Sequence, residues 1–485
     1  MTFHTVEKIG GTSMSDYPSV RDNIILRGRD LAELRDTDLY QRIFVVSAYG
    51  GITDLLLEHK KSAVPGVYSL FANGIEDGSW LCALKAIKEK LHAINFDLFG
   101  AGELLLRANS FIDQRIDSAS ECLTNLHNLC LHGHFSLTEQ LTTVREMLAS
   151  IGEAHSAWNT THLLKRDGIN ARFIDLTGWN SEQHFPLDQR IEQALSSLDL
   201  GKELPIVTGY AHCEQGLMSV FDRGYSEMTF SRLAVLSEAR EATIHKEFHL
   251  SSADPRLVGE CNAVPIGRTN YDVADQLANL GMEAIHPKAA KGLRQKNIAL
   301  RIKNTFEPDH MGTLITTDYV SDKPCVEIIA GCKGVYALEI FDQDMAGNLP
   351  VYDVEFLRHI QRFNGHVVAK DVNANTITHY LSCSLKTIKR IRSALEEIYP
   401  EAEINHRKVA IVSAIGSDLK MSGILAKTLK AVADSDINVQ AIHQSMRQVD
   451  MQMVVDESDY DVTVRSLHSA LVEVFDHGRA ICLAS

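Results

Sequence analysis

Several features are scarce in this chain of 485 residues, and each scarcity excludes something. Its nine cysteines are irregularly spaced and include no Cys-x-x-Cys pair, which argues against a disulfide framework or a zinc site and favours a reducing cytoplasm. No apolar run approaches the length of a transmembrane helix, and the first residues lack the apolar core of a signal peptide, so a complete cytoplasmic chain is expected. Positive charge is in deficit: 48 Lys and Arg against 63 Asp and Glu leave a formal charge of -15. Such a field repels nucleic acid and anionic membrane, and neither is expected as a partner. Proline is sparse, 11 residues against 30 glycines, within a globular composition of 45% hydrophobic and 23% charged residues. The length exceeds one ordinary core, so two or three domains are expected.

What is present has a rhythm. A short β-prone segment, Thr5 to Lys8, runs into Gly10 and Gly11, and a helix-like stretch follows to about Leu34. A second strand-length run from Arg42 ends at Gly50 and Gly51, with Thr53 as a plausible cap of the helix after it. Strand, glycine turn and helix, twice over, is the pattern of an α/β domain with a largely parallel sheet. Residues 81 to 165 read as helical; strands resume near Ala171, Pro205, Ala242 and Ile298. Beyond Asn304 two stretches of about seventy residues share the order strand, helix, strand, strand, helix, one from Gly334 to Ile398 and one from Lys408 to Phe475. This pattern predicts two copies of a small βαββαβ unit.

Four polar loops could carry chemistry. In Lys8-Ile-Gly-Gly-Thr-Ser13, glycines after a strand let backbone N–H groups approach an anion, the next helix adds its dipole, and Lys8 adds a full charge. The segment is no Walker loop and, taken alone, could be an ordinary turn. Ser47-Ala-Tyr-Gly-Gly-Ile-Thr53 would put a second anion-friendly turn at the carboxyl end of the same sheet, where open α/β folds bind ligands. In the loop from Phe221 to Thr229, Arg223 suits a planar carboxylate or phosphate, Ser226 and Thr229 offer hydroxyls, and Glu227 could accept from an ammonium; a capped surface helix is the plainer alternative. Ser252-Ala-Asp254-Pro-Arg256 contains a turn signal, and Gly152-Glu153 precedes a helical stretch at a point where a lone carboxylate could face a pocket. His245 and His249 have the i, i+4 spacing of a metal pair, but a strand there would separate the rings. His127, Cys130, His132 and His134 match no zinc spacing, so no metal-ligating set is expected.

Taken together and in this order, the loops resemble the aspartate kinases of the amino acid kinase family. Lys8-Ile-Gly-Gly-Thr-Ser-Met14 is similar to that family's K-F-G-G-T-S-V, and the segment from Ser47 to its S-A-x-G-G-x-T-D-x-L. Arg223 to Thr229 is similar to R-G-G-S-D-x-T, Ser252 to Val258 to T-x-D-P-R-x-V, and the stretch from Met282 to A-K-V-L-H-P. Tyr225, Glu227, His249 and Glu283 depart from the usual residues, respectively a glycine, an aspartate, a glycine and a lysine. The variant loops look most like the aspartate kinase associated with ectoine synthesis.

The resemblance implies an amino acid kinase domain over 1-320 with a largely parallel sheet sandwiched by helices. It also implies two ferredoxin-like ACT domains over 328-400 and 405-480. It implies transfer of the ATP γ-phosphate to the β-carboxylate of L-aspartate, with Mg²⁺ carried on the nucleotide phosphates. A carboxylate with an intrinsic pKa of about 3.9 is already ionised at neutral pH, so no base is needed; the barrier is repulsion between two anions, relieved by positive charge and N–H donors. By motif match, Lys8, Ile9, Gly10 and Gly11 would meet the phosphates, with Ser252, Asp254 and Arg256 on the nucleotide. Arg223 would hold the substrate carboxylate, Glu153 its ammonium, and Ser47, Thr53 and Ser226 would line the site. Glu227 would orient Lys8 or substrate. Asp344, Met345, Gly347 and Asn348 lie where ACT modules often take an amino acid effector, and a second copy of the chain is the implied partner, as a homodimer or larger. Two alternatives stay open: a kinase for glutamate, N-acetylglutamate or a carbamate, and a catalytically idle amino acid sensor.

Overall fold

The computed structural model describes residues 4–33, 35–60, 62–73, 78–132, 134–181, 183–221, 224–282 and 284–473. They form two compact units: Met1–His249 with Ile285–Thr317, and Leu250–Ala284 with Asp318–Ser485.

The first unit is built on a sheet whose strands are β1 (Thr5–Ile9), β2 (Arg42–Val46), β3 (Ala171–Ile174), β4 (Leu204–Thr208), β5 (Glu241–Lys246), β6 (Ala299–Asn304) and β7 (Thr313–Thr316). Their order across this unit is β3-β4-β2-β1-β5-β6-β7, parallel except for the last pair. Parallel strands are covered on both faces, which is why β1, β2 and β4 are buried along their whole length. One face carries the long helix α5 (Leu141–Arg166), together with α6 (Tyr225–Leu236) and α7 (Pro287–Gln295). The helix α1 (Gly11–Met14) leaves β1, and α2 (Ile52–Leu56) follows β2; α3 (Ser79–Phe99) and α4 (Glu103–Cys130) pack with α5.

The other face of β1 is polar. Glu7 is buried between Arg42, at 2.7 Å and 3.0 Å, and His245, at 2.8 Å. Arg42 also donates to the carbonyls of Ile24 and Ile25, in a one-turn π-helix, Val20–Ile25. Five side-chain donors in a rigid fork let one guanidinium satisfy both a carboxylate and the carbonyls of that irregular turn. The continuous helix expected to Leu34 is thus broken into short pieces, and Leu34 lies outside the described residues.

The second unit contains an antiparallel sheet of β8 (Ile328–Phe341), β9 (His366–Val372), β10 (Thr376–Ser382), β11 (Glu403–Ile415), β12 (Ala441–Gln444) and β13 (Asp450–Asp456), in the order β9-β10-β8-β11-β13-β12. Helices α8 (Leu349–Arg362), α9 (Leu385–Ile398), α10 (Ile424–Ala433) and α11 (Tyr460–Leu471) cover one face through two apolar clusters. The other face is covered by Ile266, Val273, Leu277 and Leu280 from the 250–284 segment. That apolar cover places the segment in this unit.

The order of elements in the two repeats is as expected, but the repeats share strands. The first half of β8 pairs with the second half of β11, and its second half pairs with the first half of β11 and with β10. Between Val409 and Ile411 the register against β8 slips by one residue, beside Gly334 at φ +75°. The extra residue flips the side-chain parity of β8, so Ile328 and Ala330 share a face with Val335 and Ala337. The bulge therefore lets one continuous strand present apolar side chains correctly to both modules.

Candidate active site

The carboxyl ends of β1, β2, β4 and β5 lie side by side, and the residues that follow them converge on Lys8. Along β1 the side chains alternate: Glu7 faces Arg42 and His245, and Lys8 faces the helices on the opposite side. The Lys8 ammonium is 3.7 Å from Glu227 Oε1, and Glu227 Oε2 accepts from the His286 amide at 2.6 Å. Burial alone would raise the Glu227 pKa, but Lys8, then Lys246, then the His286 amide outweigh it and hold the carboxyl below its ordinary value. Glu227 is therefore an anion at neutral pH.

Glu153, on α5, has the opposite character. It is buried and its Oε2 has no hydrogen-bond partner. Burial pushes its pKa up to about 8, and Lys8 with the backbone of Tyr210 and Ala48 only partly opposes this. Two carboxylates share one lysine, one ionised and one holding its proton. Glu153 packs against Gly209: a Cβ there would lie 2.9 Å from Glu153 Oε2 and 2.8 Å from Ser226 Cβ.

The glycine turns are pressed together. A Cβ on Gly11 would come 2.7 Å from the Ala48 carbonyl, so this approach requires glycine. The Gly10 amide is bonded to the His245 carbonyl at 3.0 Å, prolonging the β1–β5 ladder. It does not join Gly11 as a free donor; the unbonded amides of a helix start belong to Gly11, Thr12 and Ser13. Ile9 is buried within β1. Ser47 is tied through its amide to the Ile9 carbonyl and through its carbonyl to Ser156 Oγ, at 3.1 Å and 2.8 Å. Thr53 does not cap α2: Gly51, at φ +78°, occupies the cap and Thr53 lies inside the first turn.

Residues 4–304 match the amino acid kinase family and residues 412–471 an ACT domain. The chain is 56% identical over 481 residues to Aspartate kinase Ask_Ect of Stutzerimonas stutzeri, covering 99% of this chain and 100% of that one. The chain belongs to the aspartate kinases of the amino acid kinase family. Aspartokinase 3, chloroplastic, of Arabidopsis thaliana is 27% identical over 378 residues, 73% of this chain and 66% of its own. Among solved structures, E. coli aspartokinase III in complex with aspartate and ADP has the same fold, with a TM-score of 0.71 at 21% identity over 96% of this chain and 99% of that one.

Other expected site residues of this aspartate kinase sequence fall elsewhere. Arg223 and Glu283 lie outside the described residues. Ser226 is buried in the first turn of α6, two residues after Gly224. Ser252, Asp254 and Arg256 belong to the second unit. There Ser252 is fully buried, its hydroxyl bonded to the Val264 amide at 3.0 Å and to His468 Nε2 at 2.9 Å. Asp254 caps a short turn and pairs with Arg256, whose side chain is exposed. In the loop after β8, Met345 is buried, Asp344, Gly347 and Asn348 are exposed, and Asn348 donates to the Asp344 carbonyl at 3.4 Å.

The strand holds His245 but ends at Lys246, three residues before His249; the two rings have separate partners, His245 on Glu7 and His249 on Glu307. Among the described residues no group of three or more His, Cys, Asp or Glu is placed to hold a metal, and no helix is long and apolar enough to cross a membrane. Sequence reading missed Gly209, Ser156 and Lys246. Gly209 had a usable signal, a glycine closing a strand-length run as Gly10 and Gly50 do; Ser156 and Lys246 had none, because only packing brings them to the site.

Proposed function

We propose that the chain transfers the γ-phosphoryl group of ATP to the β-carboxylate of L-aspartate, giving 4-phospho-L-aspartate and ADP. The observation that carries this reading is the buried Glu153 Oε2 without a partner, set beside Lys8. A buried carboxyl oxygen left unsatisfied costs on the order of 1–3 kcal/mol, and a substrate ammonium is the group that would relieve it. Glu153 then takes the α-ammonium, Ser47, Thr53 and Ser226 line the site, and Arg223 takes the α-carboxylate by its motif. Lys8 and the Gly11 amide lower the repulsion between carboxylate and triphosphate, and Glu227 fixes the Lys8 ammonium. No proton has to move in the phosphoryl transfer itself.

Magnesium fits this scheme as an ion borne by the nucleotide phosphates, where it keeps most of its water and supplies charge neutralisation. Nucleotide contact by Ser252, Asp254 and Arg256 rests on their motif; Arg256 is the member with an exposed cation. The similarity to Ask_Ect supports service to ectoine biosynthesis, and the free thiols of the described cysteines suit a cytoplasmic setting. A homodimer through the ACT sheet, with an amino acid effector near Asp344, Met345, Gly347 and Asn348, completes the proposal; a concentration-independent monomer in sedimentation would refute the dimer. For the reaction, a hydroxylamine trap with ATP and a panel of amino acids is expected to yield aspartyl hydroxamate. Product from glutamate alone would overturn the assignment.

A further inference from the structure

Charge around Lys8 does not add up to a site for two anions. Its ammonium faces the ionised Glu227 at 3.7 Å, so the pair is close to neutral, and Glu153 contributes a carboxyl that holds its proton near neutrality. A pair so close to neutral offsets only part of the repulsion between a carboxylate and a triphosphate, each close cation being worth about 4 kcal/mol at intermediate dielectric. Beside the phosphate-borne magnesium and the Gly11 amide, a further positive group within reach of the same phosphoryl position would make up the rest.

The strand register supplies one. Lys8 is level with Ile244 on β5, and Ile9 with His245. Side chains on neighbouring parallel strands at the same level share a face, so Ile244 faces the helices with Lys8. His245 turns to Glu7 on the opposite side, at 2.8 Å. Lys246, two residues beyond Ile244, returns to the Lys8 face at the carboxyl end of β5, next to Gly10. It is half-buried, its carbonyl is bonded to the Thr305 amide at 2.8 Å, and its ammonium contributes to the lowered pKa of Glu227. Lys8 and Lys246 thus stand on one face at two adjacent strand ends, both act electrostatically on Glu227, and the two ammonium groups outnumber that carboxylate.

We propose that Lys246 is a second catalytic lysine, contacting the oxygens of the transferring phosphoryl group opposite Lys8. Resting on the kinase reading above, it takes part in one balanced step. A β-carboxylate oxygen of aspartate forms a bond to the γ-phosphorus, and the bond from that phosphorus to the β,γ-bridging oxygen breaks. ADP leaves with the electron pair, and both lysines keep their protons. Glu227 holds the two ammonium groups apart and aimed, and its charge prevents their mutual repulsion from opening the site.

The test compares Lys246→Gln and Lys246→Arg with the wild type in the hydroxylamine trap, reading kcat and both KM values. For Lys246→Gln we expect kcat to fall about a hundredfold, as when one preorganised charge donor is removed, with the aspartate KM within about threefold of wild type. Lys246→Arg is expected to keep about a third or more of wild-type kcat. Wild-type activity with a Gln variant within threefold in kcat would overturn the role of Lys246 and leave the kinase assignment intact. A wild type that yields no aspartyl hydroxamate would instead remove the assignment and this proposal with it. Should Lys246→Gln lack a cooperative melt by circular dichroism, the Arg variant decides: retained turnover supports the role, and a hundredfold loss overturns it.

Discussion

Aspartate binding should expel a proton from Glu153. With a pKa of about 8 in the free site, roughly one Glu153 in ten is ionised at pH 7 and one in a hundred at pH 6. Only the ionised form can pair with an ammonium, so the aspartate KM should fall about tenfold per pH unit from 6 to 7 and level off above 8. Isothermal titration in two buffers of different ionisation enthalpy should then show about 0.9 proton released per aspartate at pH 7 and about 0.5 at pH 8. The same shift bears on stability. Because the folded form retains a proton that the unfolded chain releases, the substrate-free protein should lose stability as pH rises from the ordinary carboxylate range towards 8, and aspartate should restore it. Glu153→Gln keeps the shape without the charge: its aspartate KM should rise on the order of a hundredfold at pH 8, and the pH slope should vanish. A wild-type KM that is flat between pH 6 and 8, or a Gln variant with the wild-type slope, would refute the reasoning.

Three further outcomes are expected. Lys8→Met should lower kcat by at least about a hundredfold in the hydroxylamine assay while the melting curve stays cooperative, since an apolar stem still fills the buried position. Gly209→Ala should cost about 1–3 kcal/mol by denaturant titration and raise the aspartate KM, because its Cβ would press on Glu153, Ser226 and the Val46 carbonyl at 2.8–2.9 Å. Arg42→Met should destabilise by about 3 kcal/mol, because buried Glu7 would lose its close bidentate cation and keep only the more exposed Arg27 at 3.5 Å. Arg42 and His245 hold the Glu7 pKa well below the ordinary value despite burial. The stability gained from this is present above the ordinary carboxylate range and lost as pH falls below it, and Arg42→Met should flatten that acid limb.

The sequence by itself determined the alternation of strands and helices, the glycine turns after β1 and β2, and the motif order that marks an aspartate kinase. These signals are local: a hydrophobic period, a turn residue or a short motif keeps its meaning wherever the chain goes next. It also singled out Lys8 and Glu227, which stand in such motifs, and Glu153, a lone carboxylate outside them. Only the tertiary structure decided their chemistry. Glu153 and Glu227 are the same residue type; packing buried the first with one oxygen unpartnered and brought Lys8, Lys246 and the His286 amide to the second. Strand pairing set Lys246 on the Lys8 face of the sheet and His245 on the Glu7 face. The use of the Gly10 amide inside the ladder and the sharing of β8 between two modules arise likewise from pairing partners far along the chain. Charge state and strand partnership are properties of neighbours in space, so they exist only once the chain has folded.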